Sequence, residues 1–113
     1  MFLIDNLNKI TIIEGDSGRF DLKVDEYELT EGDTVYFSVS SVKTSDKGRS
    51  AYLFQKRITE FEDGVCSISI EPEDTKGKVG NYYYDIQITL ANGYVDTVIG
   101  PTIFSVKGGI TVE

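Results

Sequence analysis

The chain has 113 residues, 40% hydrophobic and 27% charged, values typical of a globular protein, and we predict a single domain over residues 1–113. Nineteen acidic residues outnumber 11 basic ones, and the net charge of -8 argues against binding to nucleic acid or to an anionic membrane. Cys66 is the one cysteine and histidine is absent, which excludes an intramolecular disulfide and histidine-dependent catalytic triads.

Short segments with a hydrophobic period of two fill the chain, separated by clusters of Gly, Asp, Asn and Glu. Such segments at near-regular spacing pack as two sheets, so we predict an all-β sandwich of two antiparallel sheets with about 7–8 strands. We expect the first and last strands to be the exposed edges, over Lys9–Glu14 and Thr102–Val112. The predicted strands are Lys9–Glu14, Arg19–Val24, Thr34–Val42, Ala51–Ile58, Val65–Ile70, Asn81–Leu90, Gly93–Ile99 and Thr102–Lys107.

The polar loop Ser40–Ser50 is basic in an otherwise acidic chain, because it carries Lys43, Lys47 and Arg49. It is the predicted mobile excursion from the sheets. Two interpretations stay open for its charge: a solvated hairpin loop, or a loop that contacts an acidic neighbouring subunit.

Three turns have specific sequences. Asp63-Gly64 and Asn92-Gly93 are dipeptides typical of tight hairpins. Asp63-Gly64 predicts a hairpin between Ala51–Ile58 and Val65–Ile70. Asn92-Gly93 predicts a hairpin between Ile88–Leu90 and Tyr94–Asp96. Gly100-Pro101 predicts a bulge or kink, because proline lacks the N–H that a ladder needs.

The Asn81–Leu90 segment has the clearest alternation in the chain. Its inward face predicts core positions at Tyr82, Tyr84, Ile86, Ile88 and Leu90. Tyr82 or Tyr84 is also placed to act as the tyrosine corner of an immunoglobulin-like sandwich, bonding back to the backbone before its strand.

The opposite face of the same segment carries Tyr83, Asp85 and Gln87. Tyrosine combines a large rigid contact area with a polar end, so we predict an interface patch on this face. Together with Lys43, Lys47 and Arg49, these are the candidate contact residues for a neighbouring subunit.

Residues with catalytic chemistry are scarce, and we expect no enzymatic activity and no cofactor. Carboxylates cluster in two turns, and an acidic pair on turns lacks the cleft that a glycosidase needs. A structural Ca²⁺ ion is an open alternative, although the spacing matches no EF-hand loop. The two clusters are Glu60, Glu62, Asp63 and Glu71, Glu73, Asp74.

Several motifs in a fixed order resemble the immunoglobulin-like domain of phage tail and baseplate proteins, in particular the N-terminal domain of baseplate upper proteins from phages of Gram-positive bacteria. The resemblance implies an immunoglobulin-like β-sandwich that works as a virion structural part, docking to other tail or baseplate proteins or to further copies of itself. It carries over no catalytic residue. The motifs are Ile10–Ser17, Phe20–Leu22, Gly32–Val39, Ile70–Thr75 and Gly80–Gln87.

The start of the chain, Met1–Asn6, lacks the basic start and apolar core of a signal peptide. We therefore expect synthesis in the cytoplasm, which the resemblance to phage proteins implies is that of the host, followed by incorporation into the virion. The alternative function is a bacterial surface or carbohydrate-binding module, which predicts an exposed aromatic platform; the absence of tryptophan argues against it.

Overall fold

A computed structural model describes residues 1–111, and the chain is all-β, as predicted. One turn of 3-10 helix covers Gly48–Ala51, and the short helix α1 covers Pro72–Thr75. The strands are β1 Phe2–Ile4, β2 Ile10–Ile13, β3 Gly18–Leu22, β4 Thr34–Ser40, β5 Tyr52–Ile58, β6 Cys66–Ile70, β7 Gly80–Thr89 and β8 Val95–Lys107.

The strands form a six-stranded sheet, in the order β1-β2-β8-β7-β4-β5, and a two-stranded sheet of β3 and β6. The prediction of purely antiparallel sheets is wrong, because β2 pairs with β8 in parallel from Ile10↔Phe104 to Ile13↔Lys107. A parallel pair needs a long connection, and almost the whole chain lies between these two strands. The larger sheet is therefore mixed.

The predicted edges are also wrong. β2 lies between β1 and β8, and β8 lies between β2 and β7, so both have neighbours on each side. Val112 of the predicted edge lies outside the described residues. The edges of the large sheet are β1, which the sequence analysis missed, and β5. β1 has an uninterrupted apolar sequence without alternation, and Phe2 stacks on Phe20 with ring centroids 6.0 Å apart.

Two of the predicted turns form, with different consequences. The Asn92-Gly93 hairpin is confirmed: Gly93 takes a φ of 90°, and its N–H donates to the Leu90 carbonyl at 2.8 Å. Asp63 and Gly64 also form a turn, with φ values of 54° and 78°. That turn does not close a hairpin between β5 and β6, because these strands belong to different sheets.

The Gly100-Pro101 irregularity is confirmed: Val95–Ile99 and Thr102–Lys107 form one strand, β8, whose register against β7 shifts at this point. Tyr84 pairs with Thr102, whereas Ile86 pairs with Ile99. The shift leaves Pro101, which has no N–H to donate, outside the ladder, and β7 and β8 stay paired on both sides of it.

Side chains of both sheets contribute to one hydrophobic cluster. Tyr84, Ile86 and Ile88 are buried as predicted, whereas Tyr82 and Leu90 are half-buried. Cys66 is fully buried, and burial together with the charge of Asp21 raises the pKa of its thiol to about 11, so it is an inert core residue. The cluster is Ile10, Ile12, Leu22, Leu29, Val35, Phe37, Val39, Cys66, Ile68, Ile70, Tyr84, Ile86, Ile88, Phe104 and Val106.

Tyr82 makes the hydrogen bond predicted for one of the two tyrosines. Its hydroxyl donates to the carbonyl of Lys78, four residues upstream, at 2.9 Å. The Tyr84 hydroxyl instead donates to the carbonyl of Asn8, in the turn before β2. The two tyrosines fix the start of β7 to two separate loops.

The turn after β2 is joined to the segment around α1, sixty residues further along the chain. The Gly15 N–H donates to the buried hydroxyl of Thr75 at 3.0 Å, and the Gly77 N–H donates to Glu14 Oε1 at 3.1 Å. Two of the motifs that carry the phage resemblance are thus in direct contact.

We expect Thr75→Val to lower the free energy of unfolding by about 1–2 kcal/mol, because it keeps the shape of the side chain and leaves the Gly15 N–H without its acceptor. Urea unfolding measures the loss. The same substitution at the half-buried Thr89 is the control, with an expected change within about 0.5 kcal/mol. Equal effects at both positions would contradict a specific role for the Thr75 hydroxyl.

Asp33 makes a second junction between distant loops. Its carboxylate is 1% exposed and accepts hydrogen bonds from the Tyr27 hydroxyl at 2.7 Å and from the N–H groups of Thr30 at 3.0 Å and Ala91 at 2.9 Å. Burial by itself raises the pKa of Asp33, but these hydrogen bonds outweigh burial and hold the pKa below its ordinary value. Asp33 thereby fixes the loop before β4 to the β7–β8 hairpin.

Candidate binding groove on the outer sheet face

The predicted interface residues of β7 lie on the face of the large sheet that points away from the core. Tyr83, Asp85 and Gln87 are half-buried, because residues of β4 stand directly beside them. The register pairs Tyr83 with Ser40, Asp85 with Ser38 and Gln87 with Tyr36. This face is therefore a continuous polar and aromatic surface.

On the other side of β7, the register shift in β8 lies beside Asp85. Gln87 pairs with Thr97, but no residue of β8 is paired with Asp85, since the ladder passes from Ile99 to Thr102. Gly100 and Pro101 lie in the gap, and neither is paired with a residue of β7. The shift leaves the surface open at this point.

The loop between β4 and β5 forms the rim of this opening. The Ser41 N–H donates to the Ala51 carbonyl at 2.9 Å and closes the base of the loop. Lys43, Lys47 and Arg49 are exposed along it. The predicted excursion is thus a closed loop that begins and ends beside the outer face of the sheet.

The loop and the sheet together enclose a groove of about 530 Å³, which we call the outer groove. It brings together three of the predicted residues, Tyr83, Asp85 and Lys43, and it leaves out Gln87, Lys47 and Arg49. Its lining is Ser38, Ser40, Val42, Lys43, Thr44, Ser45, Tyr52, Tyr83, Tyr84, Asp85, Thr97 and Pro101.

Asp85 has no ionic partner in the described chain. Among the described residues, neither Lys43 nor any other cation forms an ion pair with Asp85. Burial raises the pKa of the Asp85 carboxyl above its ordinary value, because partial removal from water disfavours the charge. The outer groove therefore holds a carboxylate that is partly dehydrated and unpaired.

Sequence reasoning missed several lining residues. Tyr52, Ser38, Ser40 and Thr97 come from three different strands, and only the pairing register brings them beside Asp85. Gly100-Pro101 was the one available signal, because it predicted an irregularity in β8, but not which residue would face it.

The carboxylate clusters of the two acidic turns stay apart from this groove. Asp74 accepts a hydrogen bond from the Glu71 N–H at 2.8 Å and pairs with Lys56 at 2.7 Å, which ties α1 to β5. Among the described residues, no three His, Cys, Asp or Glu side chains are grouped so that they could hold a metal ion. Within residues 1–111, no helix is both long and apolar enough to cross a lipid bilayer.

No protein-family model and no curated protein matches the sequence of the chain. Among solved structures, the chain is similar to the PmoD soluble domain from Methylocystis sp. ATCC 49242 (Rockwell), with a TM-score of 0.55 and 12% sequence identity. The alignment covers 85% of this chain and 76% of the PmoD domain. At this identity the similarity concerns the fold alone.

Proposed function

We propose that the chain is a non-enzymatic docking domain that binds another protein through the outer face of its large sheet. The observation that carries this proposal is the outer groove, where Tyr83, Asp85 and Lys43 meet on one surface. Aromatic side chains beside a few polar groups are the composition of protein interfaces. Tyr83 and Asp85 lie on a strand that the core holds in place, so they are positioned before any partner arrives, whereas Lys43 lies on the loop between β4 and β5.

The proposed setting is the tail or baseplate of a phage or prophage virion, assembled after synthesis in the host cytoplasm. Support comes from the order of the motifs in the sequence and from their contacts in the fold. The Gly15 turn meets Thr75 of the Pro-Glu-Asp-Thr motif, and Asp33 of the Gly-Asp-Thr-Val motif meets the β7–β8 hairpin. Three of the five motifs thus supply loop junctions, as expected of residues that maintain a scaffold.

The finer architecture proposed with this function is an immunoglobulin-like sandwich. It is supported by the two-stranded sheet, whose Leu22, Cys66, Ile68 and Ile70 share the core cluster with the large sheet. The bond from Tyr82 to the backbone four residues upstream is a further feature of such sandwiches.

Co-expression with the products of neighbouring genes tests the proposal. We expect the chain to co-elute with a tail or baseplate protein as one complex of fixed stoichiometry in size-exclusion chromatography with light scattering. A chain that stays monomeric at high concentration and captures none of these proteins would contradict the docking function.

A carbohydrate-binding module is the second candidate, and the lining of the outer groove favours it. Tyr52 and Tyr83 line the groove together with the hydroxyl-bearing residue Thr97. A glycan array with the intact chain tests this candidate: a saccharide hit that is lost in Tyr83→Ala would place it above protein docking.

A further inference from the structure

We infer that the outer groove receives an arginine or lysine side chain of a partner protein, whose cationic group pairs with Asp85. This inference rests on the proposed docking function and adds the chemistry by which the partner is recognised. The partner is expected to present a basic residue on a protruding loop or an extended segment, since the acceptor lies within a groove.

The first argument is the unpaired carboxylate. Asp85 is half-buried beside Ser38, whose Oγ already accepts a hydrogen bond from Gln55 Nε2 at 2.9 Å. On the β8 side, no residue stands opposite Asp85 in the register, and no cation of the described chain pairs with its carboxylate. Partial burial of a charge is unfavourable until a donor reaches it, and a cationic donor gives the strongest hydrogen bonds.

The second argument is the shape and lining of the groove. Its volume of about 530 Å³ falls within the range of about 300–1,000 Å³ typical of ligand sites. Tyr52 and Tyr83 line the same space. The electron-rich faces of tyrosine rings attract cations through the ring quadrupole, and a planar guanidinium can also stack on them. Carboxylate and aromatic rings together are suited to the end of a basic side chain.

The third argument is the charge of the whole chain. The net charge of -8 attracts a basic partner over a distance and repels a second acidic molecule, while Lys43, Lys47 and Arg49 on the rim loop act against a basic partner close to the groove. Lys43 is exposed on the rim of the groove and makes no ion pair with Asp85 in the described chain. The positive charge of Lys43 repels a cationic ligand, so we expect Asp85 to strengthen binding and Lys43 to weaken it.

A backbone-amide NMR titration with N-acetyl-arginine amide tests the inference directly. The matched control ligand is N-acetyl-citrulline amide, which has nearly the same shape without the charge. We expect the arginine probe to shift the amide signals of Ser38, Tyr83, Asp85 and Thr97, and 0.5 M salt to weaken binding, because salt screens the attraction. Equal shifts with citrulline, or shifts confined to other surfaces, would overturn the inference.

Two single variants separate the possible ligands. Asp85→Asn is expected to weaken binding of the arginine probe at least about tenfold, since it removes a charge-assisted hydrogen bond. Lys43→Ala is expected to strengthen binding about twofold or more, by removal of a surface repulsion. Asp85→Asn should fold at least as well as the parent chain at neutral pH, because an unpaired, half-buried charge is lost; thermal unfolding checks this.

Other outcomes identify other occupants. Weaker binding of maltotriose or N-acetylglucosamine in both variants, with no response to the arginine probe, would replace the inference with a saccharide site. Concentration-dependent dimerisation that is lost in Asp85→Asn and in Arg49→Glu would replace it with a second copy of this chain. A complex with a tail protein that survives Asp85→Asn unchanged would overturn this inference and leave the docking function standing.

Discussion

Phe37→Ala is expected to lower the free energy of unfolding by about 3–5 kcal/mol, the largest single effect in the chain. The ring is fully buried and lies at the centre of an aromatic cluster, 5.6 Å from Phe20 of the smaller sheet and 5.4 Å from Tyr84 of β7. Its removal opens a cavity between the two sheets. Denaturant unfolding followed by near-ultraviolet circular dichroism measures the loss.

Ile103→Ala is the matched control for the Phe37 prediction. Ile103 lies on β8 next to the buried Phe104 but is 39% exposed, so its truncation is expected to change stability by less than about 1 kcal/mol. A loss at Ile103 as large as that at Phe37 would contradict the placement of the core between the sheets.

Asp33→Ala has the second largest expected effect, a loss of about 2–4 kcal/mol, because it removes a buried acceptor that serves three donors. The Tyr27 hydroxyl and the N–H groups of Thr30 and Ala91 would lose their partner. Asp16→Ala is the control, because Asp16 follows Gly15 as Asp33 follows Gly32. Asp16 is exposed and pairs with the Met1 amino group, and such a pair contributes up to about 1 kcal/mol.

The same carboxylate makes stability depend on pH. The pKa of Asp33 is lower in the folded chain than in the unfolded chain, where it has its ordinary value of about 3.9. The contribution is therefore complete above that ordinary value and is lost as the pH falls through the lowered, folded-state pKa. Unfolding free energies measured from pH 6 downward should fall less in Asp33→Asn than in the parent chain. Parallel curves would contradict this assignment.

The part of the fold that depends on local pattern could be predicted from sequence. The alternation of β7 gave the buried positions Tyr84, Ile86 and Ile88, and the Asn92-Gly93 dipeptide gave the hairpin. Pairing between distant segments could not be predicted in this way. The parallel β2–β8 ladder and the separation of β5 from β6 are set by packing across the whole chain. A hydrophobic period of two within a strand does not indicate which strands pair.

The candidate site was predictable only in its β7 and loop components. Tyr83, Asp85 and Lys43 were found from face and charge, whereas Tyr52 and Ser38 reach the groove through register. Asp33 was present in a motif of the resemblance, yet its burial and its three hydrogen bonds depend on loops that meet only in the folded chain. Polar residues with structural roles leave little signal in a single sequence.

Hydrogen–deuterium exchange on a complex with a co-expressed tail or baseplate protein tests the docking surface most directly. The predicted result is new protection in the loop 41–51, whose amides lie outside the central strands, reduced in Asp85→Asn, with the smaller sheet of β3 and β6 unchanged. Protection confined to the smaller sheet, with the loop 41–51 exchanging as in the free chain, would contradict the account.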